Sequence, residues 1–311
     1  MKSKKKNINI NLRLLIPLVI LFCIFTVFRF MPQQNVSTRE MLFMGTTARV
    51  SIVSGDKAKA AEALEDAFGL MKKYEDMFSF FSPKSELTIL NNNAAQKTLK
   101  VSPDLFEIIN RSLEYSRLTG GVFDVTATSL QKEGGYDTID VNAEEKSVHF
   151  NDPRTKIDLG GIADGFCIDR IRERFKALGV NNYLIDIGGD IYAGGVNEQG
   201  RPWRLGVRDP LDEQGILYRF PLTDEAVTTS GNYLRKHIVS LEKEPASGNT
   251  VSVTVAAPEC IDADVYATAF FIMGPEKTKE FIKNKAKQVQ AFFILKNKTE
   301  KYRTEKINWE I

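Results

Sequence analysis

Hydrophobic and polar positions along the chain alternate in two distinct rhythms. Thr46, Arg49 and Ser51 alternate imperfectly with Val50, Ile52 and Val53, which predicts a strand, and Ser54-Gly55-Asp56 then turns the chain. Ala60, Leu64, Ala67 and Met71 follow at spacings of four, three and four, the period of a helix with one buried face. Ser102-Pro103-Asp104 opens a second helix in cap-then-proline order, carrying Phe106, Ile109 and Leu113 inward until Gly120-Gly121 stops it. Residues 156–159 read as a strand end. After Gly160-Gly161 a helix presents Ile162, Phe166, Ile171, Phe175 and Leu178 on one side and stops at Gly179. Strands are predicted at 183–187, 191–193, 203–207 and 251–256, followed by a small-residue helix over 261–273 that Gly274-Pro275 ends. Helices mixed with antiparallel-looking hairpins predict an α+β fold rather than a doubly wound sheet.

The first residues follow neither rhythm. Lys2, Lys4, Lys5, Lys6 and Arg13 precede an uncharged apolar run over 14–28, closed by Arg29. Fifteen residues at about 1.5 Å each reach about 22 Å, and flanking apolar residues with snorkelling arginines extend that toward a bilayer core. No small-x-small cleavage site follows, and bulky Leu21 and Phe22 precede Cys23 where a lipoprotein needs small residues. The reading is a basic cytoplasmic segment (1–13), a signal anchor (14–31), a polar linker (32–39) and one domain (40–311) on the outer face of the membrane.

Composition narrows the chemistry. The chain has 311 residues, 43% hydrophobic and 26% charged, the profile of a folded globular protein. Removing the six basic residues of the first 29 positions leaves 36 basic against 40 acidic residues, a mildly acidic body that argues against nucleic acid as a partner. Three cysteines and two histidines, without a C-x-x-C, offer neither a disulfide framework nor a zinc site, so any metal is held by oxygen.

Four segments carry more glycine, aspartate and hydroxyl than a fold requires. KIDLGGIADGF (156–166) sets a glycine pair between strand and helix, where backbone N–H groups and the helix dipole receive phosphate oxygens. LIDIGGDIYAGG (184–195) repeats the device, with Asp186 and Asp190 flanking Gly188-Gly189. Either turn alone also fits glycines serving positive φ with aspartates bonding their own backbone. AVTTSGNY (226–233) adds Thr228, Thr229 and Ser230. In IDADVYATAFF (261–271), Asp264 and Thr268 stand four apart on one helix, projecting a carboxylate and a hydroxyl from the same face. The pair has too few ligands for calcium and suits magnesium, which retains waters and phosphate oxygens. From spacing alone an equal alternative stands: Asp264 complementing the helix dipole, and Thr268 bonding back to a carbonyl.

Taken in order, MGTTARV (44–50), FSFFSPKSEL (78–87), TGGVFDVTATSL (119–130), KIDLGGIADGF, LIDIGGDI, WRLGVRDP (203–210), AVTTSGNY and VSVTVAAPECIDADVYATAFFIMG (251–274) resemble the ApbE family, the FAD:protein FMN transferases. The resemblance spans nearly all of 40–295. It implies a single ApbE-like, T-fold-like catalytic domain with mixed or antiparallel sheets and packed helices. The implied activity is Mg²⁺-dependent transfer of FMN from FAD to a threonine or serine hydroxyl of a flavoprotein, releasing AMP, with Nqr- or Rnf-type redox subunits as acceptors. By the same resemblance Asp264 and Thr268 are metal ligands and catalytic, and Ala163 supplies a carbonyl to the metal. Met44 and Phe81 lie against the isoalloxazine, and Gly160, Gly161, Gly189, Asp190, Thr229 and Ser230 line the FAD cleft. Asp158 is expected to support the site structurally.

The chain also departs from the family pattern. Where the family reads H-x-x-D-P-x-T-G, residues 241–248 read LEKEPASG, with Leu241 for the histidine and Glu244 for the aspartate. His237 lies four residues before Leu241 and substitutes only if the loop shifts. Val125 stands where proline is common, and Asp164 replaces a lysine or glutamate. Two other readings therefore accompany the transferase: an FAD pyrophosphatase yielding FMN and AMP, and an FAD-binding protein whose altered loop has impaired its chemistry.

Overall fold

The computed structural model describes residues 35–129, 135–210, 212–231, 248–297 and 302–311. The expected anchor and basic segment, Leu241, Glu244 and His237 all lie outside these residues. Among the described residues no helix is long and apolar enough to cross a membrane.

The chain begins with a hairpin of β1 (Asn35–Phe43) and β2 (Thr46–Ser54). Its two-residue turn places Met44 at φ 46° and Gly45 at φ 81°, the positive pair that matches the twist of a tight hairpin. Helix α1 (Lys57–Phe78) follows, capped by Asp56 through the Lys59 amide, and buries Ala60, Leu64, Ala67 and Met71 as their spacing predicts. Then come α2 (Glu86–Asn93), β3 (Leu99–Lys100) and α3 (Pro103–Thr119). Helix α3 has Ser102 as its cap, Pro103 in its first turn and left-handed Gly120 at its end. Strands β4 (Ile139–Asn142) and β5 (Ser147–Phe150) complete a small antiparallel sheet with β3.

Helix α4 (Ala163–Leu178) ends on left-handed Gly179 and feeds β6 (Tyr183–Ile187) and β7 (Asp190–Gly194). A two-stranded ribbon, β8 (Trp203–Asp209) and β9 (Asp212–Leu222), precedes β10 (Glu225–Gly231) and β11 (Thr250–Ala257). Helix α5 (Cys260–Lys285), β12 (Gln290–Lys296) and β13 (Tyr302–Ile307) close the chain. The main sheet runs β1-β2-β6-β7-β10-β11-β12-β13, and every neighbouring pair is antiparallel.

Both faces of this sheet are covered, which explains strands that do not alternate cleanly. On one face Ala48, Val50, Ile185, Val253, Val255 and Phe293 pack against the helices. On the other Val53, Ala193, Ala256, Phe292 and Ile294 pack under the ribbon with Trp203, Phe220 and Leu222. The architecture is α+β, with antiparallel sheets only among the described strands.

Two local expectations change. The domain does not start at residue 40 after a linker, because Asn35 already pairs with Ser54 in the edge hairpin. Residues 156–159 are not a strand: the Asn91 side chain occupies the strand partner's place, donating to the Ile157 carbonyl and accepting from its amide, both at 2.8 Å. The helical path of α5 breaks at Gly274, as the glycine-proline pair predicts. That residue kinks the chain at φ 72°, ψ 175°, and Pro275 opens a further helical run, where its missing N–H costs nothing.

Candidate active site

The first glycine turn, the β6–β7 turn, the β1–β2 turn, the inner face of the ribbon and the end of β10 surround a cleft of about 1050 Å³. Asp264, Thr268 and Ile272, four apart along α5, form a stripe of its wall. The Ser230 and Thr268 hydroxyl oxygens stand 3.5 Å apart, and Thr229 shares a hydrogen bond of 2.8 Å with Thr254 across the β10–β11 ladder. A Cβ placed on Gly161 would lie 3.9 Å from the Thr268 hydroxyl, so the first glycine turn sits directly beside the pair.

Five of the six aspartates lining the cleft divide into two sets, the sixth being Asp164 at the start of α4. Asp124, Asp158 and Asp186 spend their oxygens on nearby backbone: Asp124 accepts from the Thr126 and Tyr136 amides, Asp158 from Gly160 and Asp186 from Gly189. They hold loops in shape, which is the supporting role expected of Asp158. Asp190 and Asp264 instead have no ion pair with a described residue. Burial, reinforced by Asp164, pushes the Asp264 carboxyl up to about 8, although the Gly165 amide, which donates to Oδ2 at 3.1 Å, pulls it back. Burial and the nearby Asp264 charge likewise raise Asp190, partly offset by the neighbouring Thr228 hydroxyl. Thr228 is buried, and among the described residues its hydroxyl faces Asp190 without reaching normal hydrogen-bond geometry.

Buried carboxylates without a protein cation either remain protonated or face a bound one. Among the described residues no three His, Cys, Asp or Glu side chains converge to chelate a metal by themselves. A cation here would draw on the Asp264 carboxylate and a hydroxyl, with main-chain and ligand oxygens completing its shell. That oxygen set fits Mg²⁺. Arg49 and Arg208 reach the same cleft; burial raises the Asp186 carboxyl, and the Gly189 amide and these two guanidiniums partly offset it. Arg49 is shared with Glu40 at 2.5 Å.

The structure brings Met44, Gly160, Gly161, Asp190, Thr229, Ser230, Asp264 and Thr268 to one cleft. Met44 holds a left-handed conformation uncommon outside glycine, and its amide donates to Glu75 at 3.1 Å. Ala163 is buried as the first residue of α4, two positions before the glycine that touches Asp264. Phe81 is not brought in: it is 91% exposed, sits edge-on to Phe80 and does not line the cleft.

The spacing of motifs did not reveal Gly165. A Cβ there would stand 2.7 Å from the Cys260 carbonyl oxygen, so glycine is what lets α4 and α5 touch and lets its amide reach Asp264. A glycine inside a helix, where alanine is more favourable by about 1 kcal/mol, was the available signal.

The sequence profile of the ApbE family matches residues 44–293. A Treponema pallidum protein named FAD:protein FMN transferase is 30% identical over 84% of this chain and 85% of its own length. An Escherichia coli K12 protein of the same name is 24% identical over 80% and 82%. In fold, the chain is similar to the flavin transferase ApbE from Vibrio cholerae, with a TM-score of 0.78 and 23% identity over 88% of this chain and 98% of that one. The ApbE protein from Thermotoga maritima gives 0.78 and 23% over 88% and 97%. With the profile covering most of its length and the cleft assembled from the motifs that carry the resemblance, this chain belongs to the ApbE family.

Proposed function

We propose that the cleft binds FAD with Mg²⁺ and transfers FMN to a threonine or serine hydroxyl of a flavoprotein, releasing AMP. The names of the relatives support flavin transfer as the activity. The observation that carries the fuller reading is the buried Asp264 beside Thr268, without a counter-ion among the described residues, at the first glycine turn of a cleft large enough for a dinucleotide. Asp264 and Thr268 would hold Mg²⁺, with the Ala163 carbonyl completing the protein's share. When bound, the ion would neutralise charge on the pyrophosphate.

The protein's own groups account for the rest. The Gly161 amide, near the start of α4, suits a phosphate oxygen, whereas the Gly160 and Gly189 amides are held by Asp158 and Asp186 and shape the turns around it. Arg208 adds positive charge, with Arg49 shared with Glu40, while Met44 and the apolar Leu42 and Val122 in the same cleft suit a flat ring system. In the transfer the acceptor oxygen bonds to the FMN phosphorus as the bridging P–O bond breaks. AMP leaves with the bridging oxygen, and the hydroxyl proton is released. Such a displacement is served by positioning and charge neutralisation, so it needs no covalent protein nucleophile.

In this reading residues 14–31 anchor the chain in the bacterial cytoplasmic membrane, with the catalytic domain on the outer, periplasmic face beside Nqr- or Rnf-type acceptor subunits. The test is incubation of the chain with FAD, Mg²⁺ and an acceptor domain of that type, following AMP by chromatography and covalent flavin by in-gel fluorescence. AMP matched by labelled acceptor is the expected result. AMP without labelling would replace this reading by the pyrophosphatase, and bound FAD without AMP would replace it by a carrier.

A further inference from the structure

Helix α5 carries Asp264 and Thr268, yet it does not cap itself. Its cap residue, Glu259, has extended backbone and no side-chain cap bond, because the Glu259 carboxylate faces Arg111 at 3.1 Å. The free amides of the first turn go elsewhere. Cys260 and Ile261 donate to the two carboxylate oxygens of Asp169, at 3.0 and 2.9 Å, across more than ninety residues of sequence. Asp169 lies in the middle of α4 and is itself braced. Arg172 donates to it, and the same guanidinium reaches the Tyr192 hydroxyl at 3.0 Å and stacks 3.7 Å from that ring's centre. Tyr192 lies on β7, two residues after Asp190.

Gly165, Asp169 and Arg172 fall at i, i+4 and i+7, one face of α4. That face therefore grips α5 twice, at the Asp264 carboxylate through the Gly165 amide and at the helix start through Asp169. Asp169 does not line the cleft; it opens onto a separate groove on the far side of the α4–α5 contact.

We infer that Asp169 is a positioning residue: it fixes the seat of α5 on α4 and thereby the placement of Asp264 and Thr268 against the first glycine turn. For catalysis this rests on the proposed transferase reading, whereas the seating of the helix does not. A carboxylate accepting two amides of a helix start supplies both the orphaned hydrogen bonds and the charge that the helix dipole favours. Losing it frees the first turn, and the two ligand positions lie within the next two turns.

The experiment compares the full chain with Asp169→Ala and Asp169→Asn. Hydrogen exchange at the Cys260 and Ile261 amides is expected to quicken by about tenfold or more in Asp169→Ala, with α1 unchanged. Mn²⁺ affinity, read by electron paramagnetic resonance on the protein alone, is expected to fall about tenfold, in the range seen for groups that orient metal ligands. With FAD, kcat is expected to fall about tenfold at saturating Mg²⁺ while KM for FAD stays within about twofold. Asp169→Asn keeps one acceptor, so its values should lie between; it also serves if the alanine variant does not fold. Native exchange at the first turn overturns the inference, as does faster exchange with unchanged Mn²⁺ affinity and kcat. A rate loss that merely follows the folded fraction overturns it too. If the unsubstituted chain binds no Mn²⁺ and releases no AMP, the proposed function falls, and exchange at Cys260 and Ile261 still decides whether Asp169 seats the helix.

Discussion

Two turns in this protein are nearly the same in sequence and different in purpose. Ile157-Asp158-Leu159-Gly160-Gly161 and Ile185-Asp186-Ile187-Gly188-Gly189 each place an aspartate ahead of a glycine pair, and in each the aspartate accepts a glycine amide at 3.0 Å. In the first, neither glycine has a positive φ, and Gly161 borders Phe123 and the Thr268 hydroxyl as the chain enters α4. In the second, the glycines take φ of 64° and 105° to turn β6 into β7, and a Cβ on Gly188 would stand 2.8 Å from the Thr46 hydroxyl. The first pair leaves room next to the site, whereas the second satisfies the backbone. One signature thus answers to two physical demands, which substitutions can separate.

The largest expected effect lies where the first turn meets α5. Asp264→Ala removes the carboxylate that Gly165 holds, and Mg²⁺-dependent AMP release should fall by at least about 10²-fold while the circular dichroism of the folded chain persists. Turnover equal to that of the unsubstituted protein would remove Asp264 from the chemistry, leaving its contact with α4 as packing alone. The next effect belongs to the second turn. Gly188→Ala forces a left-handed side chain against Thr46, at about 1–3 kcal/mol, which for a chain of this size lowers Tm by roughly 3–10 °C. Gly161→Ala has no such strain. Its Tm should stay within about 2 °C, and KM for FAD should rise by about tenfold as the added methyl takes ligand space. Equal loss of stability in both variants would erase the distinction between the turns.

Features set by local chemistry could be read from the sequence. Ser102-Pro103 and Gly120 bound α3, and Gly179 ends α4, because caps and left-handed stops act within a few residues. Asp264 and Thr268 were visible as a pair because helical spacing alone puts them on one face. Strand β1 is not marked in the sequence because its side chains are mostly exposed at the sheet edge, so no buried alternation shows it. The pattern hides strand β12 for the opposite reason: both its faces are covered, and AFFIL (291–295) is continuously apolar. Residues 156–159 looked like a strand because nothing local shows that the Asn91 side chain replaces a neighbouring strand. The roles of Gly165 and Asp169 depend on partners more than ninety residues away, which no window of sequence contains.

The smallest expected effect tests whether the α4–α5 contact holds a carboxylate prepared for a cation. Burial raises the Asp264 carboxyl from an ordinary 3.8 to about 8, so between those values the folded chain binds a proton that the unfolded chain releases. This group's contribution to stability is fully present below the lower value and is lost as pH rises toward the upper one. Asp190, shifted in the same direction, adds to the trend. A bound cation requires the ionised form, so at pH 8 it relieves the strain of the buried charge, while at pH 5 it must first displace the proton. Millimolar Mg²⁺ should therefore raise Tm at pH 8 by about 2–4 °C more than at pH 5, the shift expected from roughly 1 kcal/mol in a chain of this size. Asp264→Asn, which cannot ionise, should flatten both the fall of metal-free Tm with pH and the Mg²⁺ response. If scanning calorimetry instead finds the same Mg²⁺ shift at both pH values, or finds it undiminished in Asp264→Asn, the cation does not sit on this carboxylate, and the first turn's proximity to Thr268 has no metal to serve.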